Sequence, residues 1–498
     1  MVLIDSMNRR FLDTYGCGMG ITPNLDRFAK RALTFDNHFI SSAPCMPARR
    51  ELMTGRQEFM WRGWGPLEPF DRPIAAEANG AGAVTAIVTD HYHYWESGAH
   101  GYLESFQGSR FIRGHECDYY NTDGFEGEMP DWAQAMADRG RADYARKYYR
   151  NVKDFKEEAD FFSPKTFSAA CDWLDSNHMH EKFFLWVESF DAHEPFHVPE
   201  PYKSMYVDGA GGTGVAGGAA GAGGGGMTCW PPYQDGYHGH NDAFWETTTP
   251  EEIAYIQAQY KGKLTMVDKW LGKLFDRMDA LDLWKNTAVI VTTDHGHELG
   301  EKERFGKQPP MYDLSAHIPL MIWHPGYPGG RRTSALTTAL DIYPTILEIL
   351  GAEDVESPHG RSLMPLVSGE RAEHRDAVMY ATYGSGATIT DREYTYHCTW
   401  DDTKPLYWYS ATYAAPRAGI TGGAYIPGVD APVWRIPWKN ERPYPELLFD
   451  RRADPGQERN IAADKPEIVA AMRRKLKALM DAQGAPAEQY ARLMLTDV

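Results

Sequence analysis

Six cysteines in 498 residues, Cys17, Cys45, Cys117, Cys171, Cys229 and Cys398, form no Cys-x-x-Cys pair. That scatter excludes a disulfide framework and a zinc knuckle, and it makes a reducing compartment, the cytoplasm, the expected location. Long hydrophobic runs are also missing. No stretch of 18 apolar residues occurs, so no membrane-spanning helix is expected. The opening "MVLIDSMNRR" has too short an apolar part and too little flanking charge for a secretory signal, so no export address is expected. Basic residues are in deficit, with Lys+Arg 51 against Asp+Glu 69 and a formal net charge of -18. A nucleic-acid backbone or an anionic membrane surface is therefore a poor general partner. A small anion needs only a pocket that is locally positive.

What is present is an ordinary globular composition, 43% hydrophobic and 24% charged. The length exceeds what one core usually supports, which predicts a large domain and a smaller one. Strand-like runs ("MVLI", "AVTAIV", "KFFLWVES", "TAVIVTTD", "IPLMIW") alternate with helical ones ("TPNLDRFAKRAL", the long 251–281 segment, "TTALDIYPTILEILG"). This alternation predicts an α/β fold, a large and mostly parallel sheet with helices on both faces, over residues 1–369. In such sheets ligands sit beyond the carboxyl ends of the strands, where Asp5, Thr89, His193 and Asp294 fall. Residues 209–226 hold eleven Gly and five Ala and read as a flexible loop with no phosphate-binding ending. Residues 370–498 carry aromatic strand-like pieces and then one helix, predicting a smaller α+β lobe with an antiparallel sheet.

The stretch "SAPCMPARRELMTG", residues 42–55, holds the most unusual cysteine. Buried filler is the ordinary fate of a free cysteine. Pro44, Pro47, Arg49 and Arg50 instead predict that Cys45 lies on a polar loop leading into a helix start. A thiolate cradle of the tyrosine-phosphatase kind needs a longer spacing to its arginine than the three residues between Cys45 and Arg49. No local signature of a cysteine protease is present either.

"CMPAR" followed by "RELMTGR" resembles the sulfatase signature, Cys-x-Pro-x-Arg with a downstream Thr-Gly. The likeness continues through "TPNLDRFAKRALTFDNHF", "DAHEPF", "TTDHGHELGEKERFGK" and "LFDRRADPGQERNIA", in the family's order. The sequence is thereby identified as a member of the sulfatases of the alkaline phosphatase superfamily, close to the phosphonate monoester hydrolases. The resemblance implies an alkaline phosphatase-like fold and an arylsulfatase-like sulfuric ester hydrolase. It also implies that Cys45 is oxidised to 3-oxoalanine (formylglycine) by a formylglycine-generating enzyme, which reads Pro47 and Arg49. The aldehyde hydrate attacks sulfur through one hydroxyl, giving a covalent sulfo-enzyme, and its second hydroxyl then expels the product.

The same resemblance implies a role for each site residue. Asp5, Asp294, His295 and position 45 would hold one divalent metal ion, and Arg49 would hold the diol. His193 and Lys307 would contact substrate, with His193 or His91 as general acid and Lys307 neutralising a nonbridging oxygen. Thr89 and His91 fall where the family has a Lys-x-His pair, and His93 lies two positions on. His317 is expected to be structural. Ser6 and His295 stand where sulfatases usually carry a second acid and an Asn, which favours Mn²⁺ or Zn²⁺ while leaving Ca²⁺ allowed. The Asp-His pair is shared with phosphonate monoester hydrolases. The implied substrate is thus a small anionic ester, a sulfated aryl or sugar compound, with a phosphonate monoester or phosphodiester as the alternative. A homo-oligomer is left open. A noncatalytic binder of anionic glycans would be expected to lose Cys45, Arg49 or the metal ligands, and all are present.

Overall fold

The computed structural model of the chain describes residues 1–96, 99–124, 127–207, 229, 248–353, 355–412 and 421–498. The glycine- and alanine-rich run at 209–226 lies outside them. The main sheet has eight strands, β1 (Val2–Ile4), β2 (Leu33–Phe39), β3 (Val84–Thr89), β4 (Gly108–Phe111), β5 (Phe183–Ser189), β6 (Val289–Thr292), β7 (Leu320–Trp323) and β8 (Arg331–Thr338). Their order is β8-β2-β7-β6-β1-β5-β3-β4. Every pairing is parallel except the two made by β7, which runs against β2 and β6. The sheet is mostly parallel, as expected, with β7 as its antiparallel member.

Strand alternation sends neighbouring residues into two separate cores. Val2, Ile4, Val187 and Val291 face one layer, which includes helices α2 (Phe162–Asn177) and α3 (Pro250–Ala280). Leu3, Trp186 and Ile290 face the other, covered by α1 (Cys45–Thr54) and α4 (Ile342–Ile349). Helix α3 starts where the sequence dictates. The Thr249 hydroxyl accepts from the Glu252 backbone N–H, and the Glu252 carboxylate accepts from that of Thr249. The expected helix "TTALDIYPTILEILG" begins later than its pattern suggested, because Thr337 and Thr338 still pair with β2 at the end of β8. β-Branched threonines suit that ladder, and the helix forms only after the Ala339–Asp341 turn.

Among the described residues the C-terminal part holds two sheets rather than one. The first has the order Leu447–Asp450, Tyr394–Cys398, Ala387–Thr390, Val378–Thr382, Ser42–Ala43. Its first four members are antiparallel, and Ser42–Ala43 joins parallel to Val378–Thr382. The strand leading into Cys45 therefore belongs to the small sheet, across the expected boundary at 369/370. The second sheet is three-stranded, Leu406–Ser410, Val433–Trp438 and Thr421–Gly423. Two terminal helices follow, α5 (Pro466–Gln483) and Ala487–Arg492, where one was expected. Met472, Leu476 and Met480 of α5 pack with Ile389, Tyr396 and Leu448 of the five-stranded sheet.

Candidate active site

Cys45 is the first residue of α1. Pro47 lies in the first turn, where no backbone N–H is needed for the helix ladder. Gly55 ends the helix with φ of 64° in the left-handed region, its N–H donating to the Glu51 carbonyl at 2.8 Å. The Thr-Gly of the motif is thus a helix stop. The expectation of a polar loop fails, since Cys45 is only 2% exposed and all ten residues of α1 are buried. Glu51 draws the helix under Ser42, accepting from the Ser42 N–H at 2.7 Å and from its hydroxyl. The N-terminal end of the helix dipole, which favours negative charge, faces the position of the nucleophile.

The ends of adjacent strands supply the other groups. β1 delivers Asp5 and β6 delivers Asp294 and His295. One ligand atom from each of Asp5, Cys45, Asp294 and His295 lies within 4.8 Å of the others, all buried. His295 Nδ1 donates to the Gly296 carbonyl at 2.9 Å, which leaves Nε2 as an acceptor 3.3 Å from Cys45 Sγ. Burial lowers His295 to about 4, so the imidazole is neutral and ready to ligate. Burial, and then Asp294, push Asp5 well above the ordinary carboxylate value. This is a donor set short of positive charge, and two carboxylates with one imidazole fit a divalent ion. Burial likewise pushes the Cys45 thiol up, which opposes a thiolate nucleophile.

Arg49 sits among the carboxylates. Its Nη2 donates to Asp5 Oδ2, Nη1 to Asp294 Oδ2 and Nε to Glu188 Oε1, each at 2.6 Å, and Nη1 also reaches the Cys45 carbonyl at 3.0 Å. Its contacts fall on three buried carboxylates and on the backbone of residue 45. Glu188 is itself fixed by Tyr94 at 2.8 Å and Trp186 at 3.1 Å.

A cavity of about 660 Å³ opens over Cys45. His193 and Lys307 line it. Lys307 Nζ lies 2.5 Å from His193 Nε2, and His193 Nδ1 donates to the Glu194 carbonyl at 2.8 Å. Glu194 accepts from His297 Nε2 at 2.9 Å. Burial acts against the charge of Lys307, yet position 45 and Glu194 keep its pKa raised. Burial lowers His193. Thr89 and His91 do not appear on the cavity wall among the described residues. Thr89 Oγ1 caps the turn by accepting from the His91 N–H at 3.0 Å, while His91 lies behind Asp5, its Nδ1 4.0 Å from Oδ2. His93 is the histidine that lines the cavity. His317 is structural, bonded through Nε2 to the Asp36 carbonyl at 2.7 Å and stacked on Phe39. A further buried set, Asp90, His115 and Asp191, already holds a cation, since Lys263 Nζ lies 2.5 Å from Asp191.

The family model described as Sulfatase matches residues 1–352 of the 498. The chain belongs to the sulfatase family. A second model, N-sulphoglucosamine sulphohydrolase C-terminal, matches residues 300–411. Among curated relatives, the multifunctional alkaline phosphatase superfamily protein PehA of Trinickia caryophylli is 28% identical over 386 residues, covering 72% of this chain and 74% of that protein. Arylsulfatase K of Xenopus laevis is 30% identical over 265 residues, covering 51% of this chain and 43% of that one. The match thus spans less than half the length of that relative. The phosphonate monoester hydrolase of Agrobacterium radiobacter superposes with a TM-score of 0.67 at 21% identity, over 97% of this chain and 95% of its own. A structure in complex with its substrate D-glucosamine-2-N,6-O-disulfate superposes with 0.67 at 16% identity, over 98% of each chain. These likenesses show an alkaline phosphatase-like fold, and the family makes the chain a sulfuric ester hydrolase.

Several residues of this sulfatase's site escaped the sequence reading. Glu188 was visible as a lone acid inside the apolar run "KFFLWVES", a pattern that demands a buried partner. Glu194 and His297 sat inside quoted motifs without an assigned role. Glu116, Trp408 and Trp438, which line the outer cavity, carried no local signal.

Proposed function

We propose that this sulfatase hydrolyses sulfate monoesters with Cys45, converted to formylglycine, as the nucleophile and with one divalent ion held by Asp5, Asp294, His295 and position 45. Mn²⁺ and Zn²⁺ suit the imidazole better than Ca²⁺ does. When bound, the ion supplies a Lewis acid that acidifies the nucleophilic hydroxyl and offsets substrate charge. The observation that carries the reading is the convergence of those four side chains at the start of α1. Lys307 binds a nonbridging oxygen of the ester. Lys307 Nζ, 2.5 Å from His193 Nε2, holds the proton that His193 relays to the departing oxygen. Arg49 orients Asp5 and Asp294 and keeps the backbone of residue 45 in place. A formylglycine-generating enzyme is the required partner, and the six unpaired cysteines suit a reducing cytoplasm.

Intact mass tests the first part. Conversion of Cys45 should lower the chain by about 18 Da, and Asp294→Ala should then lose bound metal and turnover while keeping the fold. Full activity with an unmodified thiol, or stoichiometric metal in the variant, would rule the assignment out.

A second activity, on phosphonate monoesters and phosphodiesters, is favoured by His295 beside Asp294, with Lys307 the lysine that lines the cavity. These esters and sulfate monoesters each carry one negative charge and pass through similar trigonal-bipyramidal arrangements, whereas a phosphate monoester dianion brings one more. With one aryl leaving group, kcat/KM should rank the three monoanions above the phosphate monoester. A clear win for the phosphate monoester contradicts the charge argument.

A further inference from the structure

The cavity over Cys45 has two ends of opposite character. Lys307, His193 and Cys45 supply the part of its lining suited to an anion. Its outer wall is aromatic and acidic. Trp64 and Tyr92 flank His93, with ring centroids 4.7 and 4.1 Å from the imidazole, and Trp408 packs on Trp438 at 4.8 Å nearer the mouth, where Trp438 is 49% exposed. Glu96, Glu116 and Glu441 line the same space. The cations on the wall are Lys307 at the floor and Arg141, whose guanidinium lies over the Tyr144 ring at 5.4 Å.

Glu116 is the decisive group. It is only 9% exposed, and its Oε2 has no hydrogen-bond partner. It is also held at φ of 46°, a left-handed backbone that a side chain other than glycine adopts at a cost. Across from it, His93 Nδ1 donates to Glu96 Oε2 at 2.6 Å, so Nε2 carries a lone pair. That lone pair faces Glu116 Oε2 at 3.7 Å. Tyr92 donates to the Glu116 carboxyl, yet Oε2 is left without a hydrogen bond among the described residues and faces Nε2. A group with several N–H donors and a positive charge satisfies both, and the faces of Tyr92 and Trp64 add cation–π attraction.

We propose that this outer end is a cation-selecting subsite for the leaving group, so that the preferred substrates are zwitterionic, sulfate esters of a small alcohol or phenol bearing a protonated amine. The inference rests on the proposed sulfatase reading and deepens it. Burial, with Glu194 next, pushes Glu116 up to about 8 against the opposing effects of Lys307 and Tyr92, so its carboxyl holds a proton that a bound ammonium would displace. Chains bearing several sulfates meet repulsion at the same wall.

The experiment uses formylglycine-containing protein and three aryl sulfates that share one ring, meta-substituted with aminomethyl, hydroxymethyl or carboxylate, with rates corrected for leaving-group acidity by a neutral series. The aminomethyl ester should exceed the hydroxymethyl ester at least tenfold in kcat/KM, and the carboxylate should be poorest. Glu116→Gln should collapse the aminomethyl-to-carboxylate ratio at least fivefold. Equal rates for the three wild-type esters, or a lead for the carboxylate, would overturn the subsite without any variant being needed. An unchanged ratio in a folded Glu116→Gln protein would overturn the role of that residue. Quenching of tryptophan fluorescence by benzylammonium, against none by benzoate, reads the subsite without turnover. If no ester is cleaved yet benzylammonium binds, the sulfatase reading falls and the subsite stands. Cleavage without ammonium preference or binding does the reverse.

Discussion

Arg49 shows at the residue scale how buried charge is balanced. One guanidinium serves Asp5, Asp294 and Glu188, all fully buried. Removing it strands three carboxylates in the core, and breaking a buried pair in this way costs about 3–5 kcal/mol. Arg49→Met should therefore lower the melting temperature steeply, and added Mn²⁺ or Zn²⁺ should recover part of the loss by taking over Asp5 and Asp294. Arg49→Lys should be nearly as damaging, since one ammonium cannot span the three directions of the fork. Thermal unfolding with and without metal checks both. Loss without metal rescue would mean that the ion does not share these carboxylates.

At the scale of elements, the motif is a helix with a defined start and stop. A methyl at Gly55 would meet Ser357 Oγ at 2.7 Å and Tyr343 Cδ1 at 2.8 Å, on top of a left-handed backbone. Gly55→Ala should cost more than about 1 kcal/mol and should reduce turnover by loosening α1. Denaturant unfolding measures it, and a neutral result would remove the helix stop as the reason for the Thr-Gly pair. The ends of β1 and β6 could be read from the sequence because an apolar run stops abruptly at a polar residue in each. The choice between His91 and His93 could not. Both lie at a turn, His91 just before the 3-10 segment Tyr92–Trp95, where the period-2 rule of strands no longer says which side chain points outward. The burial of Cys45 was also hidden. Prolines 44 and 47 read as loop, although proline is equally at home in a first helical turn. Long-range pairing hid the rest, for no local pattern announces that Ser42–Ala43 completes a sheet made of residues beyond 370.

For the whole molecule, that pairing decides how the two lobes depend on each other. Residues 370–498 supply both the strand beside Ser42–Ala43 and the Trp408–Trp438 wall of the cavity. A fragment ending at residue 369 should thus aggregate in size-exclusion chromatography and show no turnover, its exposed sheet edge and half-built cavity left open to water. A soluble, active fragment would establish 369/370 as a true domain boundary. The same pairing also sets a clock. On the proposed formylglycine reading, Cys45 would have to meet the enzyme that oxidises it, yet in the finished protein all ten residues of α1 are buried and residue 45 is reached through the cavity. Its covering strand Val378–Thr382 is synthesised hundreds of residues later, and at ordinary translation speeds that delay is on the order of tens of seconds. On that reading maturation is a race against folding, with the late-arriving sheet partners holding the window open, and a chain that closed before oxidation would keep its thiol.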